Sequence, residues 1–291
     1  MSFRIVHRTE YRYTGRVTLC HNEAHLTPRS AKNQRCVESA IEIEPRPNCY
    51  RERKDYFGNT VVYFGIHDPH DTLAVTATAV VEVNETAPPA DVYASPPWEQ
   101  SAALALEVSA TGLEVNEFRL QSPLVEVDDD LADFAKPSFR PGRPLLEAVS
   151  DLNRRIHCDL TYAPRSTTVS TPLATVLRER RGVCQDFAHL AIGCLRSLGL
   201  AARYVSGYVE SVPPPGWSRA LGADASHAWF SVLDPVAGWV DFDPTNDQQV
   251  AHHHITTAWG RDYSDVTPLK GIFFGGGSHN LEVSVDVIRL E

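Results

Sequence analysis

The 291-residue sequence lacks several features that would assign it to a special class of protein. No apolar run approaches the roughly 20 residues that a membrane-spanning helix needs. The amino-terminal stretch MSFRIVHRTEYRYTG has no continuous apolar segment of the secretory type. Six cysteines lie at wide, irregular spacings without a CxxC pair, which argues against a disulfide scaffold and against the usual local zinc or redox motifs. We therefore expect a cytoplasmic protein with no membrane partner.

Basic residues are scarce where acidic residues are concentrated. The formal net charge is −10, and from Glu82 to Asp133 there are twelve acidic residues and one basic residue, Arg119. Such a surface repels the phosphates of nucleic acids and of anionic lipids, so we expect no nucleic-acid partner. The acidic stretch is interpreted as a solvated face.

The hydrophobic pattern divides the chain into three parts and predicts an α+β fold. Residues 1–86 show the period-two alternation of strands, as in FRIVHRTEYRY, and predict an antiparallel β-sandwich-like domain. Residues 87–142 form a Pro-rich and acidic connecting segment, with short helices expected near 98–108 and 129–136. Residues 143–291 change to helical spacing and predict a core of helices and strands, which ends in one more strand, NLEVSVDVIRL.

The stretch RGVCQDFAHLAIGCLRSLGL places Cys184 directly at the start of a buried helix. Unpaired backbone N–H groups and the helix dipole make this position favourable for an anion, and so for a thiolate. The same N–H groups can stabilise the oxyanion of a tetrahedral intermediate. By itself the position fits a small buried residue equally well, so a base has to be found.

His227 and Asp243 supply the base and its partner if the stretch DPVAG is a hairpin loop. Leu233 then pairs with Trp239, and His227 and Asp243 lie on one face of the two strands as diagonal neighbours. A carboxylate that is a diagonal neighbour of the histidine would orient the imidazole and leave its other nitrogen for a thiolate. The three residues together predict a Cys-His-Asp triad.

These motifs resemble those of the transglutaminase-like superfamily of papain-like thiol enzymes. The similarity is carried by RGVCQDFAHLAIGCLRSLGLAARYVSGYV, SHAWFSV and GWVDFDPTN, and the β-rich start resembles bacterial members with an N-terminal transglutaminase-associated domain. The resemblance implies a papain/transglutaminase-like core in which a nucleophile helix packs against an antiparallel sheet. It implies Cys184 as nucleophile, His227 as base and Asp243, rather than Asp241, as the orienting acid.

Three further residues are candidates for oxyanion or substrate contacts. Tyr162 is implied by the resemblance, since an aromatic residue near this point can approach the thiol. Gln185 offers its backbone N–H beside the nucleophile, and Trp229 could form a wall of the cleft. Packing or solvated roles are the alternatives for these three.

The sequence gives no recognisable metal or cofactor site. The three consecutive histidines at 252–254 cannot converge on one ion from regular structure, and no EF-hand loop or HExxH helix is present. We therefore expect no metal and no cofactor.

The predicted chemistry is acyl transfer through a thioester, on a peptide or protein amide substrate. Hydrolysis by a cysteine protease or amidase is the first choice, because water is always available as acceptor. Transglutaminase activity, with an amine as acceptor, is the alternative. A catalytically silent peptide-binding module is a third possibility, and the sequence leaves the oligomeric state open.

Overall fold

A computed structural model describes residues 1–84, 89–108, 113–210 and 226–290. One long strand organises the first part of its fold. Strand β1 (Ser2–Ala24) alternates buried and solvent-facing side chains, as its period-two pattern predicts. Because it is 23 residues long, its first half pairs with one strand and its second half with another. Its neighbours are β2 (Gln34–Glu44), β3 (Cys49–Lys54), β4 (Thr60–Ile66) and β5 (His70–Val83), in the order β2-β5-β1-β4-β3.

Helices dominate the middle of the chain, as the change to helical spacing predicts. Those near 98 and 129 lie where they are expected. The helix that begins at Leu145 buries one apolar face, whose residues Leu145, Leu146, Val149, Leu152 and Ile156 are 0–1% exposed. The helices are α1 (Trp98–Val108), α2 (Leu113–Glu117), α3 (Asp129–Ala135), α4 (Leu145–Asp159), α5 (Leu173–Glu179) and α6 (Cys184–Ser197).

A second antiparallel sheet packs against α6. Its order is β11-β10-β9-β8-β12, and a separate short parallel pair, β6 with β7, precedes α6. Trp239 pairs with Leu233 in the hairpin of β9 and β10, which is the register predicted from the sequence. These strands are β6 (Thr161–Tyr162), β7 (Arg181–Gly182), β8 (Ala202–Val209), β9 (Ser226–Asp234), β10 (Gly238–Asp243), β11 (Gln248–Gln249) and β12 (His254–Gly260).

The last two strands return to the first sheet. Strands β13 (Leu269–Gly275) and β14 (His279–Leu290) both pair antiparallel with β1, so the first sheet has seven strands and combines both ends of the chain. The final strand was expected from its alternation, and β1 is its partner. The predicted boundary between residues 86 and 87 lies outside the described residues.

Separate apolar clusters hold the two sheets and join them. The largest surrounds α6, whose residues Phe187 to Leu195 are buried against α3, α4 and the second sheet. A smaller cluster brings Phe3 and Val285 of the first sheet against Tyr208 and Ile255 of the second. The α+β class is confirmed, with a curled antiparallel sheet beside a papain-like core. None of the helices in the described part of the chain is long and apolar enough to span a bilayer.

Candidate active site

Cys184 is the first residue of α6, and its surroundings leave backbone N–H groups free at the helix start. The first intrahelical hydrogen bond runs from the Phe187 N–H to the Val183 carbonyl (3.1 Å). The Val183 N–H donates to the carboxylate of Asp186 (2.8 Å), which anchors the first turn. The N–H groups of Cys184 and Gln185 precede the first intrahelical donor, so they are available to an anion beside the thiol.

His227 lies between the thiol and a buried carboxylate. It occupies the start of β9, while Asp243 ends β10, and His227 Nε2 donates to Asp243 Oδ2 at 2.8 Å. The Cys184 thiol lies near enough to the ring to influence its charge. Burial alone would lower the pKa of His227, but the hydrogen bonds and charges of Asp243 and Cys184 outweigh it and raise the pKa to about 10. This histidine is therefore held as an imidazolium at neutral pH.

Asp243 is fully buried, and donors surround both of its oxygens. Oδ1 accepts from the backbone N–H groups of Thr245 (2.9 Å) and Asn246 (3.3 Å), which follow it in the DPTN stretch. Oδ2 accepts from His227, from Asn246 Nδ2 (2.7 Å) and from His254 Nε2 (3.0 Å). Burial alone would raise the pKa of Asp243, but hydrogen bonds from His227 and His254 hold it far below its usual range.

His254 is the contact that the sequence did not reveal. In the run of three histidines, His253 binds Glu210 (2.8 Å), whereas His254 is buried at the start of β12 and reaches Asp243. Its Nε2 donates to Asp243, and its buried Nδ1 has no hydrogen-bond partner in the described residues. The available signal was weak, because only its place at the start of an apolar strand pattern distinguishes it from its neighbours.

The nitrogen atoms of His227 and His254 and one oxygen of Asp243 lie within 4.8 Å of one another, which meets the spacing for a metal ion. However, Asp243 Oδ2 already accepts a hydrogen bond from each histidine. A cation would have to displace both of these donors. The arrangement is therefore satisfied as a hydrogen-bond network without a metal.

The structure separates the three candidates for substrate contacts. Tyr162 is half-exposed. It pairs with Gly182 where β6 runs beside β7, and Gly182 lies two residues before Cys184. Burial and the nearby thiol raise the pKa of Tyr162, so its hydroxyl stays protonated and can donate. The Gln185 side chain donates to the Val169 carbonyl (3.2 Å), and its backbone N–H follows the Cys184 thiol in the chain.

Trp229 lies beside the rings of His227 and His254. Its side chain is fully buried, its indole N–H donates to Asp241 Oδ2 (3.2 Å), and its ring packs edge-on against His254. The hydrogen bond from the indole also explains the position of Asp241, which binds Trp229 while Asp243 binds His227. Trp229 thus packs against His254, which in turn contacts Asp243.

A large cavity of about 1660 Å³ borders His254 and Asp241 but does not reach the thiol. It is lined in part by Arg203, Trp239 and Trp259, with the guanidinium 4.3 and 3.9 Å from the two ring centroids. Neither Cys184 nor His227 lines it. The position of the thiol, rather than this cavity, therefore defines the candidate site.

Two protein-family models match the chain. That of the bacterial transglutaminase-like N-terminal region matches residues 3–82, and that of the transglutaminase-like superfamily matches residues 132–244. The second match contains Cys184, His227 and Asp243.

Similar proteins cover nearly the whole chain. An uncharacterized protein of Mycobacterium tuberculosis is 45% identical over 99% of this chain and 93% of its own length. Another uncharacterized protein, from Mycobacterium leprae, is 35% identical over 99% of this chain and 98% of its own length. The crystal structure of a proposed cysteine protease from Cytophaga hutchinsonii matches 100% of this chain and 92% of that chain, with a TM-score of 0.75 and 20% sequence identity. This likeness extends the shared fold over both sheets.

Proposed function

Because the chain belongs to the transglutaminase-like superfamily, we propose that it is a cysteine-dependent amide hydrolase with Cys184 as nucleophile. The observation that carries the proposal is the hydrogen bond of His227 to the buried Asp243, with the Cys184 thiol near the same imidazole. A thiol at a helix start, an imidazole held as a cation and a buried carboxylate are the parts that thiol acyl transfer requires. The name of the Cytophaga hutchinsonii protein agrees with this reaction class.

The acylation step uses the thiol, the helix start and the imidazolium in turn. The Cys184 thiolate attacks the amide carbonyl carbon, and the backbone N–H groups of Cys184 and Gln185 stabilise the oxyanion. His227 donates its proton to the leaving nitrogen as the C–N bond breaks. The amine departs, and the acyl group is held as a thioester on Cys184.

Deacylation reverses the roles. His227 takes a proton from water, the resulting hydroxide attacks the thioester carbonyl, and the C–S bond breaks to give an acid and the free thiolate. The Tyr162 hydroxyl, half-exposed and close to the thiol, is a donor for the substrate or its oxyanion. Because the site is open to solvent on this side, water is the acceptor that we favour over an amine.

Mass spectrometry of peptide products tests this proposal. The full-length protein is incubated with a library of glutamine-containing peptides, with and without a primary amine. Conversion of an amide to an acid, or cleavage with addition of water, is the expected result. An amine adduct as the main product would overturn hydrolysis in favour of transglutaminase activity.

The matched control is Cys184→Ala, which should form no product because the nucleophile is removed. Products that persist in this variant would contradict the role of Cys184. If the wild-type protein leaves every peptide unchanged while still retaining peptides in a binding assay, the proposal fails and the peptide-binding alternative is supported.

A further inference from the structure

We propose that His21, Cys49 and His67, on the first sheet, bind one Zn²⁺ ion. One potential ligand atom from each of the three side chains lies within 4.8 Å of the other two. The cysteine and His21 are half-buried, and His67 is exposed. None of the three belongs to the Cys184–His227–Asp243 group, so the proposal is independent of the proposed function.

Gly65 explains why side chains from non-adjacent strands meet here. Strand β4 lies between β1 and β3, and Gly65 pairs with His21 on one side and with Cys49 on the other. Strands two apart are separated by roughly 10 Å, which is too far for direct contact over an ordinary side chain. A Cβ at Gly65 would lie 2.8 Å from His21 Nδ1 and 2.9 Å from Cys49 Sγ. Both side chains therefore lean into the space that the glycine leaves.

The third ligand is held beside the same space by the backbone. His67 is two residues beyond Gly65, just after the end of β4. Its N–H donates to Asn48 Oδ1 (2.6 Å), and the Asn48 N–H donates to the Gly65 carbonyl (2.9 Å). These two hydrogen bonds place His67 beside Asn48, the residue that precedes Cys49. The imidazole rings of His21 and His67 lie 5.7 Å apart, edge to face.

Tyr63 supplies an outer contact of the kind that orients metal ligands. Its hydroxyl lies 2.7 Å from His21 Nδ1, and the two rings stack with an interplanar angle of 10°. A hydrogen bond to one nitrogen of an imidazole selects its tautomer and fixes the ring so that the other nitrogen can bind metal. Tyr63 is therefore a positioning residue for His21.

The donor set selects the metal. One thiolate and two imidazoles suit Zn²⁺ and other borderline-soft ions, whereas Mg²⁺ and Ca²⁺ prefer oxygen ligands. Three protein ligands leave a fourth position for water, on the side where His67 is exposed. An ion here would connect the edge strand β3 to β1 across β4.

Co²⁺ is the spectroscopic probe for this site, and Zn²⁺ binding is measured by equilibrium dialysis. Both are added under reducing, oxygen-free conditions to the full chain carrying Cys184→Ala, which removes the thiol of the candidate active site. We expect one ion per chain and a near-ultraviolet thiolate-to-Co²⁺ charge-transfer band. Cys49→Ser should abolish the band, whereas the matched control Cys36→Ser, a half-buried thiol on the same sheet, should retain it.

Two variants distinguish a built site from a chance cluster. Gly65→Ala keeps all three ligands but places a Cβ where they converge, and Tyr63→Phe removes only the outer hydrogen bond. Each should weaken Zn²⁺ binding about tenfold or more, with an unchanged circular dichroism spectrum as the check on folding. The proposal is overturned if Co²⁺ binds without a thiolate band, if Cys49→Ser keeps the band, or if no ion binds.

Discussion

At the scale of single residues, the environment of Asp243 controls the charge of His227. Because Asp243 is held as a carboxylate, it raises the pKa of His227, so loss of the imidazolium is expected only as the pH approaches about 10. Asp243→Asn should therefore move the alkaline limb of kcat/KM, and the pH titration of the His227 ring by NMR, to lower pH. The matched control Asp241→Asn, which loses the acceptor of the Trp229 indole, should leave both near the wild-type position. The reverse pattern would mean that Asp241 is the partner of His227.

Cys184 should be the most reactive thiol at neutral pH, although it is not the most exposed. Cys158 is exposed, Cys184 is half-buried, and Cys20 and Cys194 are buried. A helix start and a neighbouring imidazolium increase the reactivity of a thiol, whereas burial raises the pKa of the Cys194 thiol far above its usual range. We expect iodoacetamide to modify Cys184 first, as measured by peptide mass spectrometry. His227→Ala should slow this reaction, and faster labelling of Cys158 than of Cys184 would contradict the assignment.

His254 is predicted to be a positioning residue that acts through Asp243. His254→Phe removes one donor from the carboxylate while preserving most of the buried volume, and a charge-assisted hydrogen bond contributes about 1.5–3 kcal/mol. We expect kcat/KM to fall by about tenfold or more, mainly through kcat, with a changed pH titration of His227. His254→Gln should restore part of the rate because its amide can donate. His253→Gln is the neighbouring control, and equal rates for His254→Phe and the wild type would exclude the role.

At the scale of elements, Gly207 allows β8, β9 and β12 to pack closely beside His227. It pairs with His227, and a Cβ at this position would lie 2.5 Å from Trp229 Cη2 and would also press on the Ile255 carbonyl. Gly207→Ala therefore forces Trp229 away from its position, and overpacking of this kind costs about 1–3 kcal/mol.

The expected result for Gly207→Ala is a lower free energy of unfolding in urea, together with slower alkylation of Cys184. Gly15→Ala is the matched control, since its added Cβ would meet its nearest atoms at 3.7 Å, an ordinary contact distance. If the two alanine variants were equally stable, the close packing at Gly207 would not be a constraint on the sheet.

The hairpin of β9 and β10 shows which element contacts could be derived from the sequence. The DPVAG loop sets the pairing of Leu233 with Trp239, and strand periodicity then places His227 and Asp243 on one face. Strand β12 pairs instead with β8, which is distant in sequence, and no turn determines that register. This is why the contact of His254 with Asp243, and the meeting of His21 with Cys49 over Gly65, could not be derived from spacing.

At the scale of the whole molecule, the first sheet depends on both ends of the chain. The alternation of β14 predicts a strand and identifies its two faces, but it contains no information about which sheet edge the strand will join. The structure pairs it with β1 from Ser2 to Tyr13, and β1 in turn packs Phe3 near Tyr208 of the second sheet. The class of fold was therefore accessible from patterns, whereas the closure of the first sheet required tertiary contacts.

His7 connects the two sheets and should make the stability of the whole molecule depend on pH. Its Nδ1 lies 2.9 Å from the Tyr208 hydroxyl, and burial lowers its pKa from 6.5 to about 4. The unfolded chain binds this proton more readily, so the contribution of His7 is fully present above about pH 6.5 and is lost as the pH falls toward 4, by up to about 3 kcal/mol. The Tm of the wild type should therefore fall more steeply between pH 7 and pH 4 than that of His7→Gln. The exposed-histidine control His67→Gln, measured with EDTA present, should keep the wild-type slope. Parallel slopes for the wild type and His7→Gln would show that the proton is bound elsewhere.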